Sequence, residues 1–417
     1  MSFVRIQRPL KLVLGLCVLC IFVGLATVKE RLGPSGTFLS ETGMDASMQR
    51  NVSANADAGA KIFAILKQVK TKLIGHTEDN ATSAQADTRL SDSSIKRPVH
   101  NDRMTLVYAI CKDNVKIGMN AIKSAVAYSS SPMRIVIFAD KENIKVIPRA
   151  CSSWPPSVLK RVRVDVLPAA FPKEDEDRWR NMFRPCATQR LFVPSLLPDE
   201  DAVIYADTDT MFMHPVEDLW RLFYAMNEQK LAAIAPETED PALNPYRNTS
   251  LYPFVEPFGL NAGVMLMNLT RMRKIEFERH MLAIHREFGS RLRWADQDML
   301  NVFFARNAER LFTLTCSSNF RYEHCKRKPP CFHRPVAVIH GSKLIFKENV
   351  DLAFTALQTY MEKYKLDESL VDHFIRPLSN RLRHLNTACS EELLKQLPLW
   401  KKAAFRVDSV SRKDRMQ

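Results

Sequence analysis

Ala202-Val-Ile-Tyr-Ala-Asp-Thr-Asp-Thr-Met-Phe-Met213 is the stretch on which the reading of this chain turns. Five apolar residues read as a buried strand, and Met211–Met213 begins a second apolar stretch. Between them Asp207 and Asp209 flank Thr208. If the chain stays extended there, period-2 geometry puts both carboxylates on one side. Two like charges buried together are costly unless a cation neutralises them. Two hard oxygen ligands suit Mg²⁺ or Mn²⁺, with open positions left for diphosphate oxygens. The competing reading has both aspartates capping a helix that starts near Pro215. Three other Asp-x-Asp triplets occur. Asp175/Asp177 and Asp199/Asp201 sit in acidic, loop-like runs, and Asp296/Asp298 opens a helical pattern.

Working outward, strands are expected at Thr105–Cys111, Arg134–Ala139, Val162–Leu167, Ala202–Ala206, Leu231–Ala235 and Gly263–Leu269. Amphipathic helices are expected at 115–129, 181–196, 215–227, 270–289, 296–306 and 351–364. Alternation of this kind predicts an α/β domain around a mostly parallel sheet, whose ligands gather at the carboxyl ends of strands. A second site follows the apolar run Val336–Ile339: His340-Gly341-Ser342-Lys343. His340 offers an imidazole third ligand, which favours Mn²⁺ over Mg²⁺. Gly341 lets the backbone approach a phosphate, and Lys343 is a point charge for a leaving group.

Composition narrows the class. Hydrophobic residues are 46% and charged residues 25%, which excludes a bulk-disordered or collagenous chain. The net charge of +14 suggests nucleic acid until it is divided along the chain. Residues 1–104 carry 14 basic and 9 acidic side chains, 376–417 carry 10 and 4, and the residues between carry 36 and 33. The near-neutral centre argues against a nucleic-acid binder. The basic ends could touch anionic membrane, although solvated ends are the plainer expectation.

Leu12–Val28 is an uncharged apolar run behind Arg5, Arg8 and Lys11, read as a type II signal-anchor after a cytoplasmic tail at 1–11. A cleaved signal peptide is the alternative. Residues 29–103 read as a luminal stem, interrupted by a helical pattern from Ile62 to Leu73, and 376–417 as a basic C-terminal extension. Asn51, Asn80, Asn248 and Asn268 fit the N-glycosylation pattern. Seven cysteines lie beyond the apolar run, which an oxidising lumen allows to form three disulfides and one leftover thiol. A zinc cluster at Cys316, Cys325 and Cys331 is disfavoured, because no CxxC pair is present.

Phe183-Arg-Pro-Cys-Ala-Thr-Gln-Arg-Leu191, Ala206-Asp-Thr-Asp209 and Pro215-Val-Glu-Asp-Leu-Trp220 together resemble the retaining family 8 glycosyltransferases. Within these the chain is most similar to the glucoside xylosyltransferases. Phe258-Gly-Leu-Asn-Ala-Gly-Val-Met-Leu-Met-Asn268 and Trp294-Ala-Asp-Gln-Asp-Met-Leu-Asn301 continue the likeness, over roughly 104–365 of a catalytic domain expected at 104–375.

The resemblance implies a single nucleotide-sugar-binding domain of GT-A type, with Asp207, Asp209 and His340 as metal ligands. It implies donor contacts from Val107, Tyr108, Ala109, Asp113, Thr208, Asn261, Ala262, Gly263 and Gly341. Asp296 and Gln297 would flank the anomeric carbon, and Arg190 would stand near the donor. It further implies UDP-xylose as donor, Mn²⁺ as cofactor, and O-glucosylated epidermal-growth-factor-like repeats, as on Notch, as acceptors of α-1,3-linked xylose. An endoplasmic-reticulum or Golgi membrane location comes with it. One departure stands out: Val350 falls where the later diphosphate lysine is expected, so Lys343 or Lys347 must supply that charge. Front-face transfer is the expected chemistry, with Gln297 and Asp296 stabilising the anomeric centre. Double displacement through Asp296 is the other route.

Overall fold

Strict alternation builds the central sheet. In strand β1 (Met104–Ile110), Leu106, Tyr108 and Ile110 enter one apolar layer, while Val107 and the following Cys111 enter the other. Strands β2 (Met133–Ala139) and β4 (Ala202–Ala206) divide the same way: Ile135, Ile137 and Ile204 against Val136, Phe138 and Val203. Strands buried on both faces read as continuous apolar runs, which is why they were legible. The computed structural model describes residues 103–247, 249–326 and 334–416, with side chains described to 410. The expected tail, anchor and stem, the 62–73 pattern, Cys331 and the sequons at Asn51, Asn80 and Asn248 lie outside these residues. Among the described residues no helix is long and apolar enough to cross a membrane.

The sheet is completed by β3 (Val162–Pro168), β6 (Ala232–Pro236), β7 (Leu260–Asn268) and β8 (Leu311–Thr313), in the order β3-β2-β1-β4-β7-β6-β8. β3-β2-β1-β4 is parallel throughout, β6 and β8 are parallel, and β7 runs antiparallel to both its neighbours. The chain winds outward from β1 to β3 and returns to the other side of β1 as β4. A crevice opens at that reversal, beyond the carboxyl ends of β1 and β4. Two further short strands, β5 (Thr210–Phe212) and β9 (Val338–His340), pair antiparallel as a separate ribbon with Thr210 opposite His340.

Helices α1 (Val115–Ala127), α2 (Asn143–Ser152), α3 (Phe277–Phe288), α4 (Asp296–Arg306) and α5 (Leu352–Lys363) flank the sheet. All six expected strands are present, and β7 starts at Leu260 rather than Gly263. The helix expected at 181–196 is not one helix. A short turn of helix ends at Asn181, an arch follows with Phe183 and Cys186 both at φ 61°, and short helical turns occupy Ala187–Leu191 and Val193–Leu196. Pro185 and Pro194 each lack an N–H donor, and a Cys111–Cys186 disulfide pins the arch to the end of β1.

The basic extension is not a solvated tail. Helices α6 (Arg376–Arg383) and α7 (Ala388–Met416) place Leu378, Leu382, Leu393, Trp400 and Ala404 in the same core as β1. The Trp400 indole donates to the Val336 carbonyl at 2.8 Å, and Cys389 is disulfide-bonded to Cys325. Spacing of buried residues by three and four along α7 was the signal that the charge count concealed. Cys316 is disulfide-bonded too, so neither it nor Cys325 offers a thiolate to zinc. Among the described residues the free thiol is Cys151, which burial pushes up to about 11 and so keeps unreactive. Asn268 is buried and caps a helical turn by accepting from Arg271 N at 2.9 Å, which closes it to glycosylation.

Candidate active site

The Asp-Thr-Asp motif is a turn, not an extension of β4. The chain leaves β4 at Ala206 and re-enters as β5 at Thr210, whose N–H and hydroxyl both donate to the Asp207 carbonyl. The period-2 argument therefore reached the correct pairing through the wrong geometry. Pairing of β5 with β9 then brings in His340, and Gly341 N donates to the Asp209 carbonyl at 2.7 Å.

One ligand atom each from Asp207, Asp209 and His340 lie within 4.8 Å of one another. His340 Nε2 is 3.2 Å from Asp209 and 3.8 Å from Asp207. Its Nδ1 faces Asn319 Oδ1 at 2.8 Å, and Asn319 itself donates to Asn261 Oδ1 at 2.8 Å. An amide oxygen at Nδ1 selects the tautomer that points the Nε2 lone pair at the carboxylates, as metal-ligating histidines are held. Gly263 makes room for the ring: a Cβ there would stand 2.1 Å from His340 Cε1. Gly263→Ala is accordingly expected to displace His340 and cut metal affinity about 10–100-fold, with overpacking also lowering the melting temperature; metal titration and calorimetry measure the two effects.

Arg190 joins the other half of the site. It is buried, and it bonds Asp296 at 2.6 Å, Asp207 at 2.7 Å and the Ala262 carbonyl, with its guanidinium over the Tyr205 ring. Burial pushes Asp207 above the usual carboxylate range, with Arg190 resisting and Asp209 adding to the rise. Burial also opposes ionisation of Asp209, yet His340 holds it below the usual range. Two carboxylates, Asp207 and Asp296, thus share the Arg190 guanidinium, while Asp209 faces His340. The donor set of two carboxylate oxygens and one imidazole, with negative charge in surplus, fits a divalent cation.

Asp296 is raised to about 7, chiefly by burial and against the pull of Arg190. A carboxyl raised in the fold takes up a proton on folding between about pH 4 and 7. Its contribution to stability is present at the acid end and lost as pH rises through 7. Melting curves at pH 5 and 8 are expected to fall further for the native chain than for Asp296→Asn.

The cleft over these groups has a volume of about 340 Å³. Thr208, Asn261, Ala262, Gln297 and Lys343 line it. The Gln297 amide accepts from Ala262 N at 3.2 Å and donates to the Tyr246 hydroxyl at 3.1 Å. From β1 only Ala109 lines the cleft. Val107 and Tyr108 are corrected: their side chains are fully buried in the two core layers. Asp113 is also corrected, standing outside the lining and paired with Lys347 at 2.5 Å. Gly341 packs against Phe346, where a Cβ would meet the ring at 2.3 Å, so packing by itself requires a glycine there. Lys343 and Lys347 both reach the cleft, Lys343 ion-paired with Glu323, while Val350 is exposed away from it.

Sequence reasoning missed Glu237, Asn319 and Tyr246. Glu237 directly follows β6 and accepts from Asn261 Nδ2 at 2.7 Å, so its place at a strand's carboxyl end was a usable signal. Asn319 had none, because a loop far in sequence delivers it.

A family model described as glycosyl transferase family 8 matches residues 105–342. Glucoside xylosyltransferase 1 of Mus musculus is 31% identical over 306 residues, covering 70% of this chain and 75% of that one. Glucoside xylosyltransferase 2 of Xenopus laevis is 30% identical over 329 residues, covering 75% and 78%. Glucoside xylosyltransferase 1 of Danio rerio is 32% identical over 324 residues, covering 73% and 80%. With a crevice at the strand reversal, a carboxylate–imidazole triad on its floor and a matching family model across more than half its length, the chain belongs to glycosyl transferase family 8.

Proposed function

We propose that the chain transfers xylose from UDP-xylose, with retention, in α-1,3 linkage to O-linked glucose on epidermal-growth-factor-like repeats. The observation that carries this reading is the Asp207–Asp209–His340 triad set beside Arg190 and Gln297, in a chain whose relatives are named glucoside xylosyltransferases. Asp207, Asp209 and His340 would hold Mn²⁺, with Mg²⁺ as substitute, and the ion would supply charge stabilisation for a departing diphosphate.

The chain's own groups define the remaining chemistry. Asn261, Ala262 and Thr208 bind and orient the donor along the cleft floor. Lys343 and Lys347 offer mobile cations to the departing phosphates once they release their carboxylate partners. Gln297, fixed at both ends of its amide, presents an uncharged dipole to the anomeric centre. Asp296 is committed to Arg190 at 2.6 Å, which favours front-face transfer over attack by Asp296. In that route the acceptor hydroxyl enters on the side from which UDP leaves, and its proton passes to a diphosphate oxygen.

An endoplasmic-reticulum or Golgi lumen is the proposed compartment, with Leu12–Val28 as a type II anchor. The disulfides Cys111–Cys186 and Cys325–Cys389 support an oxidising location. Incubating the chain with several UDP-sugars, Mn²⁺ and a glucosylated repeat, then weighing the product, tests the reading. A pentose increment is expected; a hexose increment would move it to a retaining glucosyl- or galactosyltransferase. A covalent glycosyl adduct on Asp296 would overturn the front-face route.

A further inference from the structure

The arch between Asn181 and Ala187 carries a feature that folding alone does not explain. Phe183 sits at φ 61°, a region that β-carbon-bearing residues rarely occupy, and 53% of its surface is exposed. A large apolar ring gains by burial and an L-residue gains by leaving the left-handed region, so both terms work against this placement. The arch nevertheless enforces it. Cys186, also left-handed, is bonded to Cys111 and donates its N–H to the Arg180 carbonyl at 2.7 Å. Arg184 N donates to the Met182 carbonyl at 2.8 Å, and the Arg184 guanidinium lies 5.4 Å from the Phe183 ring centre. The ring lines the same cleft as Asp207, Gln297 and Trp294.

We propose that Phe183 is a specificity-determining platform for the acceptor, on which the C–H face of the acceptor sugar stacks as it enters the cleft. The assignment rests on the reading of the chain as a transferase with a sugar acceptor. A pyranose ring has one apolar face of C–H groups, and an aromatic ring with a free face is its natural complement. Exposure separates acceptor from donor: on the β1 side the cleft is walled by Ala109 and Ile117, both half-buried, whereas Phe183 stands open to solvent. A sugar still attached to a protein has to arrive from that open side.

The test uses the full chain with Phe183→Ala, Phe183→Trp and Phe183→Gly. Acceptor KM, donor KM and hydrolysis of UDP-xylose without acceptor are measured for each. Phe183→Ala is expected to raise the acceptor KM about tenfold or more while leaving donor KM and donor hydrolysis within about twofold. Phe183→Trp should restore most of the loss. Phe183→Gly relieves the left-handed strain, so it should melt no lower than the native chain and still lose the acceptor, which separates a platform from a structural role. A rise in donor KM, or an unchanged acceptor KM in Phe183→Ala, overturns the proposal. If the native chain transfers a hexose while Phe183→Ala still loses acceptor affinity, the donor assignment fails and the platform stands.

Discussion

Asp209→Asn is expected to lower transfer by at least about a thousandfold while the chain remains folded. Asp209 belongs to a turn whose backbone is held independently of its carboxylate, by Thr210 N to the Asp207 carbonyl and Gly341 N to the Asp209 carbonyl. Removing the charge therefore leaves β5 and β9 paired. It also strips His340 of the anion 3.2 Å from its Nε2 and reduces the site to one carboxylate, already shared with Arg190. Asn keeps an oxygen ligand but removes the negative charge that makes the site attractive to a divalent cation. Kinetics across a Mn²⁺ series, with melting temperature as control, checks the outcome. Full activity in Asp209→Asn, or activity indifferent to a chelator, would refute the assignment. Asp207→Asn should cost as much activity and also leave Arg190 with a single anionic partner.

Truncation before Ala388 is expected to abolish folding of the catalytic domain, although it removes no cleft residue. Trp400 is fully buried and holds the Val336 carbonyl, which leads into the strand ending at His340. Gln396 receives the N–H of Val336 at 2.9 Å, so both backbone groups of that residue depend on α7. Trp400→Ala alone should cost about 3–5 kcal/mol from cavity formation, with the orphaned carbonyl adding to it. Cys389→Ser opens a cross-link spanning 64 residues, for which chain entropy gives about 4 kcal/mol. Denaturant midpoints of the two single variants measure these terms. An unchanged midpoint in Trp400→Ala would mean that the helix is peripheral.

Much of this architecture was legible beforehand for a plain reason. Strands such as Ala202–Ala206 are buried on both faces, and a residue type suited to burial is a local property of the chain. The ligand types were legible too, since a pair of aspartates beside a buried strand needs a cation or a guanidinium, and Asp207 has Arg190. What misled was inference from average properties. Net charge described 376–417 as a solvated extension, but Leu393, Trp400 and Ala404 recur at helical spacing beneath that charge. Hydropathy drew one helix across 181–196, where Pro185 and a disulfide make an arch followed by two short helical turns.

By itself the sequence determined the α/β class, where the main strands lie along the chain and the chemical kinds of side chain at the site, because each depends on short-range pattern. Only the tertiary structure decided how those side chains meet. The turn at Asp207–Asp209, the β5–β9 register that delivers His340, the Asn319 that orients it and the Arg190 link from Asp296 to Asp207 are contacts between distant segments. Such contacts follow from how two faces of a sheet and a ribbon pack together, and no window of neighbouring residues encodes them.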